Sequence, residues 1–174
     1  NEIMKNILII GCGLLGSSLL RRIHKKKIAK KIFIYEKSKS KIAKIKKLKL
    51  PGTIVKKLKD GAINSNLIIL CTPMSEYKKI ISRLNSINLE NTLITDIGST
   101  KTNTSKIIKK FLRKDFNWVP SHPIAGSEVS GPEYGKEDMF VDRWCIIIKD
   151  KNTKKDNLNL LSNFWKKMGS KVVF

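Results

Sequence analysis

The chain has 174 residues, of which 36 are basic and 14 acidic, giving a net charge of +22. The length suits one domain, and the hydrophobic fraction of 41% is typical of a globular protein. No window approaches the roughly 20 consecutive apolar residues of a membrane-spanning helix, so we expect a water-soluble protein with no membrane partner.

Short apolar runs alternate with amphipathic stretches along the chain. The predicted strands are residues 6–10, 31–35, 53–55, 67–71, 92–96, 117–119, 145–149 and 171–174. The predicted helices are residues 14–27, 39–49, 75–85, 101–114 and 155–168. Continuously apolar strands, most of them followed by a helix, favour a doubly wound α/β fold: a mostly parallel sheet with helices on both faces. We expect residues 1–174 to form one such domain.

Residues 7–16, ILIIGCGLLG, have two interpretations. Aliphatic residues before Cys12 resemble a lipoprotein cleavage site, but only four of them precede Gly11, fewer than the roughly 7 to 15 of a signal-peptide core. The three cysteines are an odd number without metal-ligand spacing, which favours a reducing, cytoplasmic location. The spacing Gly11-x-Gly13-x-x-Gly16 instead indicates a dinucleotide-binding loop, and Cys12 is then a small filler of the turn.

In such a Rossmann-type loop each glycine has a separate task. Gly11 permits the backbone angle of the turn, Gly13 lets a pyrophosphate approach, and Gly16 lets helix and strand pack closely. Leu14 and Leu15 begin the helix, whose free N–H groups and partial positive charge attract phosphates.

Glu36 ends the second predicted strand about twenty residues after the loop, where the dinucleotide fingerprint has an acidic residue. A carboxylate there accepts hydrogen bonds from the adenosine ribose hydroxyls and repels a 2'-phosphate, which favours NAD. The neighbouring Lys37 and Lys39 leave NADP possible.

Ligands of open parallel sheets bind beyond the carboxyl ends of the strands, so the loops that follow strands are expected to meet there. Besides the glycine loop, these are Cys71-Thr72-Pro73, residues 98–101 and residues 121–126. We therefore expect Cys71, Thr72 and Pro73 to contact the cofactor.

The irregular stretch 120–139 is rich in Gly, Pro and Ser and contains His122. Flanking prolines stiffen this loop, and a histidine has the pKa suited to taking a hydroxyl proton during dehydrogenation. Ser99 either caps the following helix or hydrogen-bonds a substrate hydroxyl. His24 lies in a basic run and receives no role.

A lysine-rich stretch, with ten lysines and no acidic residue between positions 37 and 59, raises the alternative of nucleic-acid binding. The basic excess is nearly all Lys, whereas Arg makes the bidentate contacts typical of phosphate and base recognition, and no recognisable reading motif accompanies it. We expect solvated faces or a field that attracts anionic substrate, and no specific nucleic-acid partner.

The motifs GCGLLGSSL, CTPMSEY, TDIGSTK, SHPIAGSEVSGPEYG and MFVDRWCIII together resemble the nucleotide-binding domain of the prephenate and arogenate dehydrogenases. The resemblance implies that His122 assists deprotonation of the substrate's ring hydroxyl, that Ser99 contacts this hydroxyl, and that Ser127 and Glu128 lie near the substrate's side chain. It further implies NAD-dependent oxidative decarboxylation in tyrosine biosynthesis, which needs no metal.

Members of that family continue into a helical domain that pairs two subunits and supplies basic residues to the substrate carboxylates; no counterpart is recognisable in these residues. The resemblance therefore implies a homodimer formed through that absent domain, and poor turnover by this chain alone. Two alternatives stay open: another NAD(P)-dependent oxidoreductase, such as a hydroxyacid dehydrogenase or imine reductase, and a non-catalytic dinucleotide-binding module. The sequence does not choose between prephenate and arogenate.

Overall fold

The computed structural model describes residues 4–98 and 101–174, in which strands and helices alternate. The strands are β1 (Met4–Ile10), β2 (Ala29–Tyr35), β3 (Thr53–Ile54), β4 (Leu67–Leu70), β5 (Leu93–Asp96), β6 (Asn117–Trp118), β7 (Ser121–Pro123), β8 (Trp144–Ile147) and β9 (Lys171–Val173). The helices are α1 (Leu14–Lys25), α2 (Lys39–Lys47), α3 (Leu58–Ala62), α4 (Tyr77–Leu84), α5 (Lys101–Phe111) and α6 (Lys155–Lys167). Single 3-10 turns lie at Met74–Glu76 and Pro132–Tyr134.

Six strands form a parallel sheet in the order β3-β2-β1-β4-β5-β6. The order reverses between β1 and β4, which is where a doubly wound sheet opens a crevice at the carboxyl ends of its strands. In register, Ile10 pairs with Tyr35 on one side and with Leu70 on the other, and Leu70 pairs with Asp96. The residues that follow these four strand ends therefore meet at one edge.

Each face of this sheet is covered by its own apolar core. Ile7 and Ile9 of β1 belong to the core shared with α1, α2 and α6, whereas Leu8 and Ile10 belong to the core shared with α3, α4 and α5. This alternation follows from the twofold period of a strand, which points successive side chains to opposite faces. Burial on both faces explains why the strand reads as a continuous apolar run. The predicted doubly wound α/β fold is confirmed.

A second, three-stranded sheet in the order β7-β8-β9 adjoins the first. Strand β7 pairs antiparallel with β8, and β8 pairs parallel with β9. Here the structure differs from the expectation for residues 120–139, because residues 121–123 form a strand where an irregular loop was predicted. The strand arises from pairing with β8, more than twenty residues away, and two of its three residues are buried.

The predicted helices agree with the observed ones apart from their ends. Helix α3 was not predicted, because five residues are too few to show a helical pattern in the sequence. Among the described residues, no helix combines the length and apolar character that crossing a bilayer requires.

Candidate functional site

The glycine loop joins β1 to α1 by a turn that only glycine fits at two positions. Gly11 has φ of +92°, and its N–H donates to Tyr35 O at 2.8 Å. A Cβ on Gly16 would lie 2.1 Å from Gly11 O, so the third glycine allows helix and strand to touch. A Cβ on Gly13, by contrast, would meet only Lys41 Nζ, at 3.9 Å, among the neighbouring atoms described. The middle glycine thus faces open space.

Helix α1 begins at this open space without any side chain to satisfy its first N–H groups. Its N-cap is Gly13, no side chain caps it, and its first turn contains no acidic residue. Free N–H groups and the positive end of the helix dipole are therefore available to an anion in front of the loop.

The carboxylate of Glu36 is held in place at the end of β2 by two backbone donors. Cys12 N–H donates to Oε1 at 2.8 Å and Ser38 N–H donates to Oε2 at 2.9 Å. Each carboxylate oxygen keeps a further lone pair, so the group can still accept hydrogen bonds from a ribose. Next to it, partial desolvation and the cations Lys79 and Arg83 lower the pKa of Lys37.

These groups line a cleft of about 680 Å³ at the carboxyl edge of the sheet. Of the ten predicted cofactor residues, nine line it: Gly11, Gly13, Leu14, Leu15, Glu36, Lys37, Cys71, Thr72 and Pro73. The tenth, Gly16, contributes through the close packing behind the loop. The volume lies within the range of roughly 300 to 1,000 Å³ that is usual for small-molecule sites.

Two features of the cleft concern residues after β1 and β4. Thr72 Oγ1 is buried and has no hydrogen-bond partner among the described residues. Since buried polar atoms are nearly always paired, this hydroxyl fits a polar group of a ligand. Burial and the neighbouring Glu36 charge raise the pKa of Cys12 to about 12, and burial also raises the pKa of Cys71. Both thiols stay protonated at neutral pH, in agreement with Cys12 as a filler.

Further along the edge, the end of β5 is fixed by a buried carboxylate. Asp96 accepts hydrogen bonds from the Tyr77 hydroxyl at 3.1 Å, from Trp118 Nε1 at 3.3 Å and from Gly98 N–H at 3.3 Å. These bonds tie α4, β6 and the turn after β5 together. Burial, followed by the Asp96 charge, raises the pKa of Tyr77, so its hydroxyl remains a donor.

His122 lies in strand β7, where it pairs with Ile146 of β8. It was predicted to lie in an irregular loop. Its neighbour Ser121 is fully buried, with Oγ 2.8 Å from Thr95 Oγ1 and accepting from Trp165 Nε1 at 2.9 Å. Because Thr95 is the penultimate residue of β5, the start of β7 lies beside the carboxyl end of β5. His122 is not among the residues that line the cleft. The imidazole is half-buried, and Nδ1 is buried without a partner among the described residues.

The remaining predicted substrate residues are placed differently. Ser99 lies outside the described residues. Ser127 and Glu128 are exposed, whereas Ser130 and Gly131 of the same segment line the cofactor cleft. The structure thus does not bring Ser127 and Glu128 into the cleft beside the glycine loop.

Sequence reasoning missed several residues of the cleft, among them Ser38, Lys41 and Lys44 of the α2 region. It also missed that residues 132–137 are fastened to the helices beside the glycine loop. Lys44 Nζ lies 2.9 Å from Glu133 Oε2, and Arg22 lies 2.8 Å from Glu137 Oε2. The position of α2 directly after Glu36 was the one sequence signal for its cleft residues. The ion pairs could not be predicted, because charges that are distant in the sequence leave no pattern in a single sequence.

Comparison with known proteins identifies the domain. A family model described as the prephenate dehydrogenase nucleotide-binding domain matches residues 19–174. The chain belongs to this family. The resemblance that the motifs predicted is therefore confirmed, as is the Rossmann-type nucleotide-binding fold.

Relatives and solved structures agree with this assignment. The chain is 27% identical over 170 residues to the cyclohexadienyl dehydrogenase of Zymomonas mobilis, covering 98% of this chain and 58% of that protein. A crystal structure of prephenate dehydrogenase from Aquifex aeolicus matches with a TM-score of 0.87 and 28% identity, covering 98% of this chain and 61% of that one. The A. aeolicus enzyme in complex with hydroxyphenyl propionate and NAD+ matches with a TM-score of 0.84 and 26% identity, covering 99% and 60%. This domain thus spans about 60% of the length of these relatives.

Proposed function

We propose that the protein containing this domain catalyses the NAD-dependent oxidative decarboxylation of prephenate, to 4-hydroxyphenylpyruvate, or of arogenate, to tyrosine. The observation that supports the proposal is a cleft beside the glycine loop in a chain of the prephenate dehydrogenase family, with His122 in β7 next to Ser121, which contacts the carboxyl end of β5. A dinucleotide site and a histidine at one edge are what removal of a hydride and a proton from one alcohol requires.

The residues of the cleft fit NAD. The open face of Gly13 and the free N–H groups of α1 suit a pyrophosphate, the Glu36 carboxylate suits ribose hydroxyls, and Thr72 Oγ1 lacks the partner that a ligand would supply. The A. aeolicus relative, whose structure contains NAD+, supports the same cofactor. When bound, NAD accepts the hydride that leaves the substrate's ring carbon.

The chain's part in the chemistry is to orient the ring and to take one proton. His122 draws the proton from the ring hydroxyl as hydride departs, and the developing ketone then withdraws electrons from the bond to the ring carboxylate. Carbon dioxide leaves and the ring becomes aromatic, which makes this step strongly downhill. A half-buried imidazole with an unpartnered buried nitrogen suits a site for a substrate hydroxyl. Ser99 shares contact with this hydroxyl in the proposal.

The proposal also includes the partners. We expect a cytoplasmic homodimer, joined through a helical region outside these 174 residues, which also supplies basic groups to the substrate carboxylates. The domain by itself then binds NAD but turns over poorly.

The decisive experiment is a His122→Asn substitution in the natural protein that contains these residues. We expect prephenate-dependent NADH formation to fall by about 10²- to 10⁴-fold, the usual contribution of a general base, with NAD affinity by calorimetry nearly unchanged. The matched control is His24→Asn, which removes the other histidine at an exposed position of α1 and leaves turnover intact.

Unaltered turnover in His122→Asn would remove this residue from the mechanism. Tight NAD binding without activity on prephenate or arogenate, in a panel that includes hydroxyacids and imines, would indicate a different oxidoreductase on this scaffold. Absence of NAD binding together with tight DNA binding at physiological salt would contradict the proposal as a whole.

A further inference from the structure

Lys41 on the first full turn of α2 reaches across to the glycine loop. An ideal Cβ on Gly13 would lie 3.9 Å from Lys41 Nζ. Apart from the adjoining residues of the loop and helix, no other atom of the described residues would come within 4 Å. The side chain is half-buried and lines the cleft. Its backbone is fixed, since Lys41 N–H donates to the side chain of Ser38, the N-cap of α2, at 3.3 Å.

The ammonium group of Lys41 has no carboxylate of its own among the described residues. The contrast with Lys44, one turn further along α2, is direct, because Lys44 Nζ is paired with Glu133 at 2.9 Å. Glu36, the acidic side chain bonded to the loop, already accepts from two backbone N–H groups. In agreement with this placement, the charge of Lys41 opposes the rise in the pKa of Cys12, the residue between the first two glycines.

An uncapped helix start and an unpaired ammonium group therefore face the same open space in front of Gly13. The middle glycine of such a loop is where a dinucleotide pyrophosphate comes closest to the backbone. N–H groups and the helix dipole carry only partial charge, whereas a lysine supplies a full one. We propose that Lys41 binds the pyrophosphate of the dinucleotide and closes it against the loop from the α2 side. This inference rests on the proposed dinucleotide site.

The same lysine has a second conceivable ligand, the 2'-phosphate of NADP, because Glu36 and Lys37 lie nearby. The short distance of 3.9 Å between Nζ and an ideal Cβ on Gly13 favours the pyrophosphate. The two ligands predict different outcomes: a pyrophosphate contact serves NAD and NADP equally, while a 2'-phosphate contact serves NADP alone.

The test is the substitution Lys41→Met, which keeps the aliphatic stem and removes the charge. By calorimetry we expect affinities for NAD, NADP and ADP-ribose to fall by about tenfold, as expected for one charge-assisted hydrogen bond, with adenosine binding unchanged. The loss should narrow at high salt, where the attraction is screened. Lys41→Arg should restore most of the affinity, and the control Lys47→Met, at an exposed position of the same helix, should leave it unchanged.

Wild-type affinity for NAD in a folded Lys41→Met variant would overturn the inference, and so would a loss confined to NADP, which would assign Lys41 to the 2'-phosphate. Thermal unfolding of each variant separates lost contact from lost structure. Failure of the proposed dinucleotide site is a different result, because the unsubstituted chain would then not bind NAD at all. A chain that binds NAD but does not oxidise prephenate or arogenate would contradict the proposed function and leave the inference about Lys41 standing.

Discussion

The glycine-loop side of the sheet and the side that carries His122 are held together by different means. On the β1-β2-β4 side, backbone groups fix the functional loops: Gly11 N–H donates to Tyr35 O, and Cys71 N–H donates to Ile10 O at 2.7 Å. On the β5-β7 side, buried side chains fix the strand that carries His122, through Thr95, Ser121 and Trp165.

This difference decides which substitutions each side tolerates. Hydrogen bonds between backbone groups tolerate most side chains and are most sensitive at glycine, where an added Cβ cannot fit. A buried network of hydroxyl and indole groups fails when one member is removed, because the remaining members lose their partners. The cofactor side is thus sensitive to added atoms, and the histidine side is sensitive to deleted ones.

The largest effect is expected from Gly16→Ala on the cofactor side. The new Cβ would lie 2.1 Å from Gly11 O, a backbone atom, so loop and helix must move apart. We expect a loss of about 3 kcal/mol in the free energy of unfolding, at the upper end for overpacking. NAD affinity by calorimetry should fall by more than about 100-fold, because the displaced loop and helix start no longer fit the pyrophosphate. This factor corresponds to a loss of about 2.7 kcal/mol in the free energy of binding.

The control is Gly13→Ala in the same loop. Its backbone angle, φ of −87°, is not left-handed, and its Cβ would meet only Lys41 Nζ at 3.9 Å. The free energy of unfolding should therefore change little, while NAD affinity still falls because the methyl group occupies the path of the pyrophosphate. Equal unfolding curves for the two variants would contradict the assignment of packing to one glycine and ligand approach to the other.

The cofactor side is also the side that the sequence predicted in most detail. Each of its features is local: a four-residue apolar strand end, three glycines at fixed spacing, and an acid at the end of the next strand. Nine of the predicted cofactor residues do line the observed cleft. Local geometry at the strand-to-helix turn places Gly11, Gly13, Leu14 and Leu15. The parallel register of β1 with β2 and β4 brings the other five residues to the same edge.

The histidine side could not be predicted in the same way, because it is built from distant partners. Strand β7 has three residues, too few to show a period, and it exists through pairing with β8. The bonds that join Ser121 to Thr95 and Trp165 span 26 and 44 residues. The motif resemblance indicated His122, but the buried network beside it leaves no signal in a single sequence.

A smaller effect, confined to that network, is expected from Ser121→Ala. Removing Oγ leaves the buried Trp165 Nε1 without its acceptor and Thr95 Oγ1 without its partner, a cost of about 2 kcal/mol in the free energy of unfolding. Because the adjacent His122 then loses its fixed position, kcat for prephenate should fall several-fold with the KM for NAD unchanged. Ser86→Ala, at an exposed position, is the control. A fall in NAD affinity equal to the fall in kcat would mean that the two sides are not held independently.

The smallest effect concerns the segment that joins the two sides. Glu137, 30% exposed, accepts from Lys25 and Arg22 of α1, which lowers the pKa of its carboxyl below the ordinary value of 4.5. We expect Glu137→Gln to cost about 1 kcal/mol at neutral pH, because partly exposed ion pairs contribute little more.

The pH dependence of that loss identifies its cause. A carboxyl whose pKa is lower in the folded state stabilises the fold above its unfolded pKa, and the contribution disappears as pH falls through the folded value. The difference between wild type and Glu137→Gln in denaturant unfolding should therefore be constant around neutrality, begin to shrink below about pH 4.5 and vanish in stronger acid. A difference that persists in acid would assign the effect to packing of the segment. In that case the link between the two sides does not depend on the charge of Glu137.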